Sequence, residues 1–523
     1  MINFKSPQVL LSLITILAIG LRFWQLDTLP SQLNRDEAAL GYNAFLLVQT
    51  GQDEWGKPWP LVLESFGDYK LPGYVWLVAI AGQIFGWHDW VVRLPSAAAG
   101  SLLPGLIYIW LKNLKKADSA ALWAALLTAV LPVSWFYSRM GFEANLALSF
   151  LVIWLILVAK KATSYSQVWL DVGLIFGAAL LILTYNTPLL LLPFILIYLP
   201  WLWGFENWKN WWRTWLWLLV ITGSGFYGLA TLFGQKSAIT LFSDPSVWNN
   251  FVTQRQAARG ILTHLTSNWY VYLAEQILWR WWRTWSPEFL VLRGGTHPWH
   301  ALPGAGHIFW IHYVFGISGF LVLGLGKICN QLTKLKDCLR LPEIWLAFLT
   351  IISLIPAMIT IDAPHATRSL LFLVLLAVWA GLMIDWFLNR FQSYKKIILG
   401  LIGLILILEI GRYGLNYFKS FPNQQDVFQP GLNQVIQTLD RDYPQTPIAV
   451  VGDGYAYVLW AWYSQLSPRD FFATVIKQLP DRIGFRYGQQ VGRYHFIMQA
   501  ADRDESEKIL VEWQNSSWQI KTF

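Results

Sequence analysis

Residues 71–87 read LPGYVWLVAIAGQIFGW, and whether they cross a membrane decides the topology of everything that follows. Apolar runs lie near 7–26, 71–87, 94–111, 119–136, 144–159, 168–184, 188–205, 214–233, 306–326, 342–361, 369–388 and 397–416. Runs of ~20 apolar residues are spans, and their length and uniform apolarity suit helices rather than barrel strands. If all of them cross, the loop with Lys112, Lys115 and Lys116 and the pair Lys160-Lys161 fall outside, against the preference of Lys and Arg for cytoplasmic loops. If 71–87 stays at the interface, these lysines fall inside together with Lys5, Lys209, Arg213, Lys327, Lys334, Lys336, Arg340, Arg390, Lys395 and Lys396. Pro72, Gly73 and Gly82 and the shortness of the run agree. The expectation is a polytopic α-helical membrane protein with about 11 transmembrane helices, interfacial helices in the first outer loop, and an outer C-terminus.

Composition points the same way. The 523 residues are 55% hydrophobic and 13% charged, against about 25% charged in soluble domains. The mean hydropathy is +0.40, and the 33 Trp suit interfacial belts. The formal charge of +8 sits between hydrophobic runs, so it reads as cytoplasmic loops and not as a nucleic-acid surface. Residues 1–26 read as an uncleaved first span, because the run ends in Arg22-Phe23-Trp24 without a small-residue cleavage site. Cys329 and Cys338 share one loop and make neither a disulfide framework nor a zinc site.

This topology places a first outer loop at 27–93, a second at 137–143, a long one at 234–305 and a short one at 361–368. Segment 27–70 holds seven acidic residues against three basic ones, a net of −4, opposite in sign to the inner loops. Within the long loop, Asn268 to Trp285 predicts an interfacial helix rich in Trp, Tyr and Arg, ended by Ser286-Pro287. After residue 420 no spanning run remains. The pattern divides the chain into a transmembrane domain, 1–420, and an extracytoplasmic α/β domain, 421–523. In the latter, 431–439 and 456–465 read as helices, and 448–451 and 494–499 as strands. Gly452-Asp453-Gly454 lacks the third glycine and the spacing of a dinucleotide fingerprint.

The residues able to carry chemistry collect on the outer side. Asn34 with Glu37 three residues on matches a capping box, which accounts for Glu37 better than for Asp36. A carboxylate there can act as general base toward an acceptor hydroxyl. Glu143, four residues after Arg139, reads either as an ion pair at a span end or as a functional acid at membrane depth. Lys70, Arg139, His365 and Arg368 can each snorkel alone, but as a set they suit a lipid-linked phosphate. His297, His300 and His307 have loose spacing for a metal, and no Cys joins them.

Several stretches then resemble a known family: Arg35-Asp36-Glu37-Ala38, Asp68-Tyr69-Lys70-Leu71-Pro72 leading to Trp76, Phe85-Gly86-Trp87, Arg93-Leu94-Pro95-Ser96-Ala97, and Ser138-Arg139 with Glu143. The chain resembles bacterial integral-membrane C-type glycosyltransferases of the dolichyl-phosphate-mannose protein mannosyltransferase and lipid A aminoarabinose transferase family. Ser286 to Leu290 and Pro364 to Arg368 are similar to later family segments. The resemblance implies a polyprenyl-phosphate sugar donor, an acceptor hydroxyl on the extracytoplasmic side and inversion at the anomeric carbon. It matches Asp36 to the catalytic base, Glu37 to the second acid, Glu143 to a second-loop acid, Lys70 to a donor-phosphate lysine, and Arg139, Arg368 and His365 to further phosphate partners. This chain has Lys-Leu-Pro where the family usually has Lys-Pro-Pro.

The expected protein is therefore a multi-pass enzyme of the plasma (inner) membrane. It requires no cofactor, and no divalent metal is indicated. Its partners are the polyprenyl-phosphate donor, membrane lipids and a lipid, protein or glycan acceptor, with no nucleic acid. Two alternatives stay open. A lipid-linked-sugar transporter or flippase would show paired broken helices in related halves, and no such repeat is visible. A polysaccharide ligase or polymerase would use a lipid-pyrophosphate donor.

Overall fold

A computed structural model describes residues 6–164, 167–232, 240–257, 260, 267–295, 299–327, 338–424, 428–452, 454–481 and 484–523. The chain is mostly helical, with a small C-terminal sheet. Its first elements are helix α1 (Pro7–Phe23), helix α2 (Arg35–Thr50), strands β1 (Leu63–Ser65) and β2 (Asp68–Lys70), and helices α3 (Pro72–Phe85), α4 (Asp89–Asn113), α5 (Asp118–Val130), α6 (Pro132–Ser138) and α7 (Glu143–Lys161).

Among the described residues, five helices are long and apolar enough to cross a membrane: α4, α7, Asn186–Trp203, Thr367–Arg390 and Gln392–Ser420. A sixth arises if α5 and α6 are one span bent by 54°. Leu131 causes that bend: it precedes Pro132, and the proline ring pushes it out of the helical region to ψ 120°. Shorter apolar helices include α1, α3, Val168–Thr184, Trp310–Leu325 and Pro342–Met358. Helix α3 has 14 residues, about 21 Å at ~1.5 Å per residue, and a bilayer core is ~30 Å thick.

Two compact units make up the chain. The first holds residues 1–22, 99–137 and 144–414. Its centre is the helix Leu370–Arg390, buried along most of its length. Gly381 lets this helix meet α5 backbone to backbone, since a Cβ there would lie 2.3 Å from Ala124 N; small residues do this work where lipid supplies no hydrophobic drive. The helix Lys395–Leu415 shows the opposite surface, with Ile397, Leu404, Ile407 and Leu408 exposed. The predicted aromatic helix is present as Trp269–Thr284, capped by Asn268, whose side chain accepts from Val271 N. Tyr270, Leu278, Trp279 and Trp282 are exposed on it.

The second unit holds residues 23–98, 138–143 and 415–523. It contains a six-stranded sheet of β3 (Ile448–Val451), β4 (Ile476–Lys477), β5 (Gly488–Val491), β6 (Tyr494–Ile497), β7 (Ile509–Gln514) and β8 (Ser517–Thr522). The strand order is β4-β5-β6-β3-β7-β8. Central β3 runs parallel to both β6 and β7, and the outer pairs are antiparallel. Parallel strands covered on both faces read as continuous apolar runs, and Ile448, Ala449 and Val450 are all buried. The strands anticipated at 448–451 and 494–499 lie here, with helices Leu432–Asp442 and Tyr457–Tyr463 close to their expected places.

Candidate active site

The start of α2 is built as the sequence predicts. Asn34 caps it: its side chain accepts from Glu37 N, and Glu37 Oε2 accepts from Asn34 N, each at 3.0 Å. The other oxygen of Glu37 accepts from Arg93 Nε at 3.0 Å and from Gly141 N at 2.7 Å. Glu37 and Arg93 are both fully buried. The remaining donors of Arg93 reach the carbonyls of Leu26, Pro30 and Gln32. Glu37 thus fixes the helix start and joins it to α4 and to the 138–143 segment. Arg93 gave no sign of this in sequence beyond its place in the Arg-Leu-Pro-Ser-Ala stretch.

Asp36 points elsewhere. Its side chain is 31% exposed, and its Oδ1 takes Lys70 Nζ at 2.8 Å. Lys70 is 5% exposed and also reaches Asp68 Oδ2 at 3.1 Å. Lys70 is placed by the β1–β2 hairpin, which turns through Phe66 (φ 43°) and Gly67 (φ 79°). Two successive positive φ values define the turn whose twist matches a two-residue hairpin. Phe66 is not a residue that favours this conformation, and its surroundings hold it. Its N–H donates to Tyr457 Oη at 3.3 Å and its carbonyl accepts from Arg486 N at 3.0 Å. The guanidinium of Arg35 lies 5.6 Å from its ring. Gly67 has no room for a side chain, because a Cβ would lie 2.2 Å from Gly484 O.

Burial works against the charge on Lys70, and the carboxylates of Asp36, Asp68 and Glu143 overcome it, so the ammonium is held well above its ordinary value. Glu143, half-buried at the first position of α7, acts on the same charge. The structure therefore gathers Asp36, Lys70 and Glu143, and adds Asp68.

Arg139 is placed differently. It is fully buried; its Nε donates to Tyr417 Oη at 2.9 Å, and its Nη2 donates to the carbonyls of Gln25 and Leu29. His365 and Arg368 belong to the first unit and share Asp362. His365 Nε2 lies 3.5 Å from Asp362 Oδ2, and Arg368 is ion-paired to the same carboxylate while donating to Thr360 Oγ1 at 2.8 Å. The His300 ring lies 4.6 Å from that of His365. His307 is buried against Phe289. His297 and Cys329 lie outside the described residues, and Cys338 is a buried free thiol. Among the described residues, no group of three or more His, Cys, Asp or Glu is disposed to hold a metal ion.

A second charged cluster, in the second unit, had no sequence signal. Glu54 is fully buried and accepts from Tyr457 Oη at 2.7 Å. Lys477 Nζ lies 3.4 Å from Glu54 Oε1 and 3.6 Å from the centre of the Trp55 ring. Burial pushes Glu54 up and Lys477 down.

Residues 70–224 match the model of the dolichyl-phosphate-mannose-protein mannosyltransferase family, the family the sequence resembles. The match begins at Lys70 and includes Arg139 and Glu143. The oligosaccharyltransferase of Archaeoglobus fulgidus, in its apo form, aligns over 88% of this chain and 64% of its own, with 14% identity and a TM-score of 0.54. The oligosaccharyltransferase AglB from the same organism, in complex with an inhibitory peptide and a dolichol-phosphate, aligns over 88% and 64%, with 16% identity and a TM-score of 0.51. ArnT from Cupriavidus metallidurans, bound to undecaprenyl phosphate, aligns over 87% and 84%, with 13% identity and a TM-score of 0.48. At these identities the likeness to the oligosaccharyltransferase is one of fold, and the chain spans less than two thirds of that protein's length. No curated protein matches it.

Proposed function

We propose that this chain is an inverting membrane glycosyltransferase that moves a sugar from a polyprenyl-phosphate donor to an acceptor hydroxyl on the extracytoplasmic side. The observation that carries this reading is the Asp36–Lys70 pair, 2.8 Å apart, with the lysine 5% and the carboxylate 31% exposed. The family match over 70–224 and the dolichol-phosphate bound by a protein of like fold support it.

Asp36 Oδ1 takes Lys70, which assigns Oδ2 to the proton of the acceptor hydroxyl. As that proton leaves, the hydroxyl oxygen bonds to the sugar's anomeric carbon. The bond from that carbon to the phosphate oxygen breaks, and the lipid phosphate departs with the electron pair. Lys70, kept charged by its three carboxylate neighbours, sits where the developing phosphate charge needs a cation. Glu37, with both oxygens engaged, positions the helix start, and Glu143 tunes Lys70. Arg139 ties the 138–143 segment beside the pair. His365 and Arg368 are given to phosphate on the sequence resemblance. The frame is about 11 spans within 1–420 in the plasma membrane, with 421–523 extracytoplasmic.

The test is Asp36→Asn, assayed for sugar transfer from polyprenyl-phosphate glycosides in detergent. A general base contributes ~10²–10⁴-fold, so turnover falls about a thousandfold, and wild-type turnover would sink the assignment. On this reading the cation at the site is an ammonium, so chelation with EDTA leaves transfer within about twofold. Loss that Mg²⁺ or Mn²⁺ restores would replace Lys70 in that role.

A further inference from the structure

The second unit contains a cavity of about 330 Å³ that none of the residues above uses. It lies within the range of small-molecule sites, ~300–1,000 Å³, near its lower end. Four aromatic side chains line it, Trp87, Trp90, Trp462 and Tyr463. Trp87 is fixed in place, since its ring covers Gly82 so closely that a Cβ there would lie 2.4 Å from it. The lining also holds polar groups of both kinds: the carboxylates of Asp27 and Asp89, the amides of Asn433 and Gln465, and His88.

Asp89 is pre-oriented. Its Oδ1 accepts from Trp462 Nε1 at 2.8 Å, and its Oδ2 accepts from Tyr463 Oη at 2.7 Å. Each oxygen keeps a further lone pair. The wall is also tied to the segment that carries Asp36. Tyr463 Oη accepts from Leu33 N at 3.0 Å, one residue before the Asn34 cap. Trp462 rests on α2 at Gly41, where a Cβ would lie 3.0 Å from its ring.

We infer that this cavity is a carbohydrate subsite, taking one sugar ring of a glycan acceptor. The inference rests on the glycosyltransferase reading for the word acceptor, but not for the sugar. A pyranose presents C–H bonds on its faces and hydroxyls around its edge. Aromatic side chains suit the faces, and the oriented carboxylate of Asp89 with amides, which donate and accept, suits the edge. A quaternary ammonium also fits an aromatic cage. Such a ligand offers no acceptor to the amide N–H groups of Asn433 and Gln465, and Asp89 already shares its charge with two donors.

The test uses the full chain in detergent without donor lipid. Methyl glycosides of glucose, galactose, mannose and N-acetylglucosamine, and choline separately, are titrated by saturation-transfer difference NMR and tryptophan fluorescence. Saturable millimolar binding of at least one glycoside is expected. Trp87→Ala weakens it at least tenfold, and so does the exposed pair Asn433→Ala with Gln465→Ala, which keeps the wild-type melting temperature. Binding of no glycoside, or binding unchanged in these variants, or binding of choline in their place, overturns the subsite. Glycoside binding by a protein that transfers from no polyprenyl-phosphate donor upholds the subsite and overturns the function. Normal transfer without glycoside binding does the reverse.

Discussion

Lys70 and Lys477 are both nearly buried ammonium groups beside carboxylates, yet their surroundings push them in opposite directions. Lys70 is 5% exposed and Lys477 7%. Lys70 faces Asp36, Asp68 and Glu143, and is held above its ordinary value. Lys477 has Glu54 as its bonded partner, and burial drives lysine and acid alike toward their neutral forms. The difference lies in where the carboxylates stand. Asp36 and Asp68 are 31% and 29% exposed, so water supports their charge and they can support the lysine's. Glu54 has no such support. One arrangement keeps a cation ready beside a solvent-reachable acid. The other fixes chain segments, because Tyr457 joins Glu54 to the backbone N–H of Phe66, one turn residue away from the strand that carries Lys70.

Removing each lysine should separate the two roles. Lys477→Met leaves a fully buried carboxylate without its ammonium, a change that costs ~3–5 kcal/mol, read as a lower denaturation midpoint of the purified chain. Adding Glu54→Gln recovers most of that loss, since a neutral amide can still accept from Tyr457. Lys70→Met should do the converse. Loss of one charge stabiliser lowers turnover ~10²–10³-fold, while stability falls less than in Lys477→Met, because Asp36 and Asp68 are 31% and 29% exposed and water takes up their charge. If Lys70→Met destabilised the fold as much as Lys477→Met, the contrast would collapse and Lys70 would be structural.

Several parts of this were legible in the sequence and others were not, for reasons visible in the residues. The capping box at Asn34–Glu37 is a local pattern, and it formed as read. The structure then separates the two acids: Glu37 is buried with both oxygens engaged, and Asp36 is partly open. The aromatic helix Trp269–Thr284 and strand β3 were readable from periodicity and an apolar run. Arg139 shows where such reading stops. A basic residue beside an acidic loop suggests an anion, but its donors meet Tyr417 and two carbonyls, partners 278 and about 110 residues away in sequence. Arg93, Tyr457 and Lys477 are invisible for the same reason, since their chemistry is made by contacts remote in the chain. The β1–β2 hairpin was missed because Phe66-Gly67 is not a usual pair for its turn. Its conformation is imposed by Tyr457, Arg486 and Gly484.

The smallest effect is also the sharpest comparison of the two lysines, because it depends on sign. Glu54 lies above its ordinary value of 4.5 in the fold. Below that pH the group is protonated whether the chain is folded or not, and contributes nothing. As pH rises past it, the unfolded chain loses this proton first, so the folded state binds more protons and stability falls, at most ~1.4 kcal/mol per pH unit. Lys477 acts in the upper range: it lies below its ordinary 10.5, so between its folded value and 10.5 the unfolded chain holds more protons and stability rises again with pH. Lys70 lies above 10.5, so its contribution is present throughout the neutral range and is lost only above that value. A stability difference between wild type and Glu54→Gln, measured by denaturant unfolding from pH 4.5 to 9, should therefore move against the wild type as pH rises, whereas the difference for Lys70→Met stays flat. Parallel profiles for wild type and Glu54→Gln would mean that Glu54 ionises alike in both states, and that the two lysines differ less than their surroundings imply.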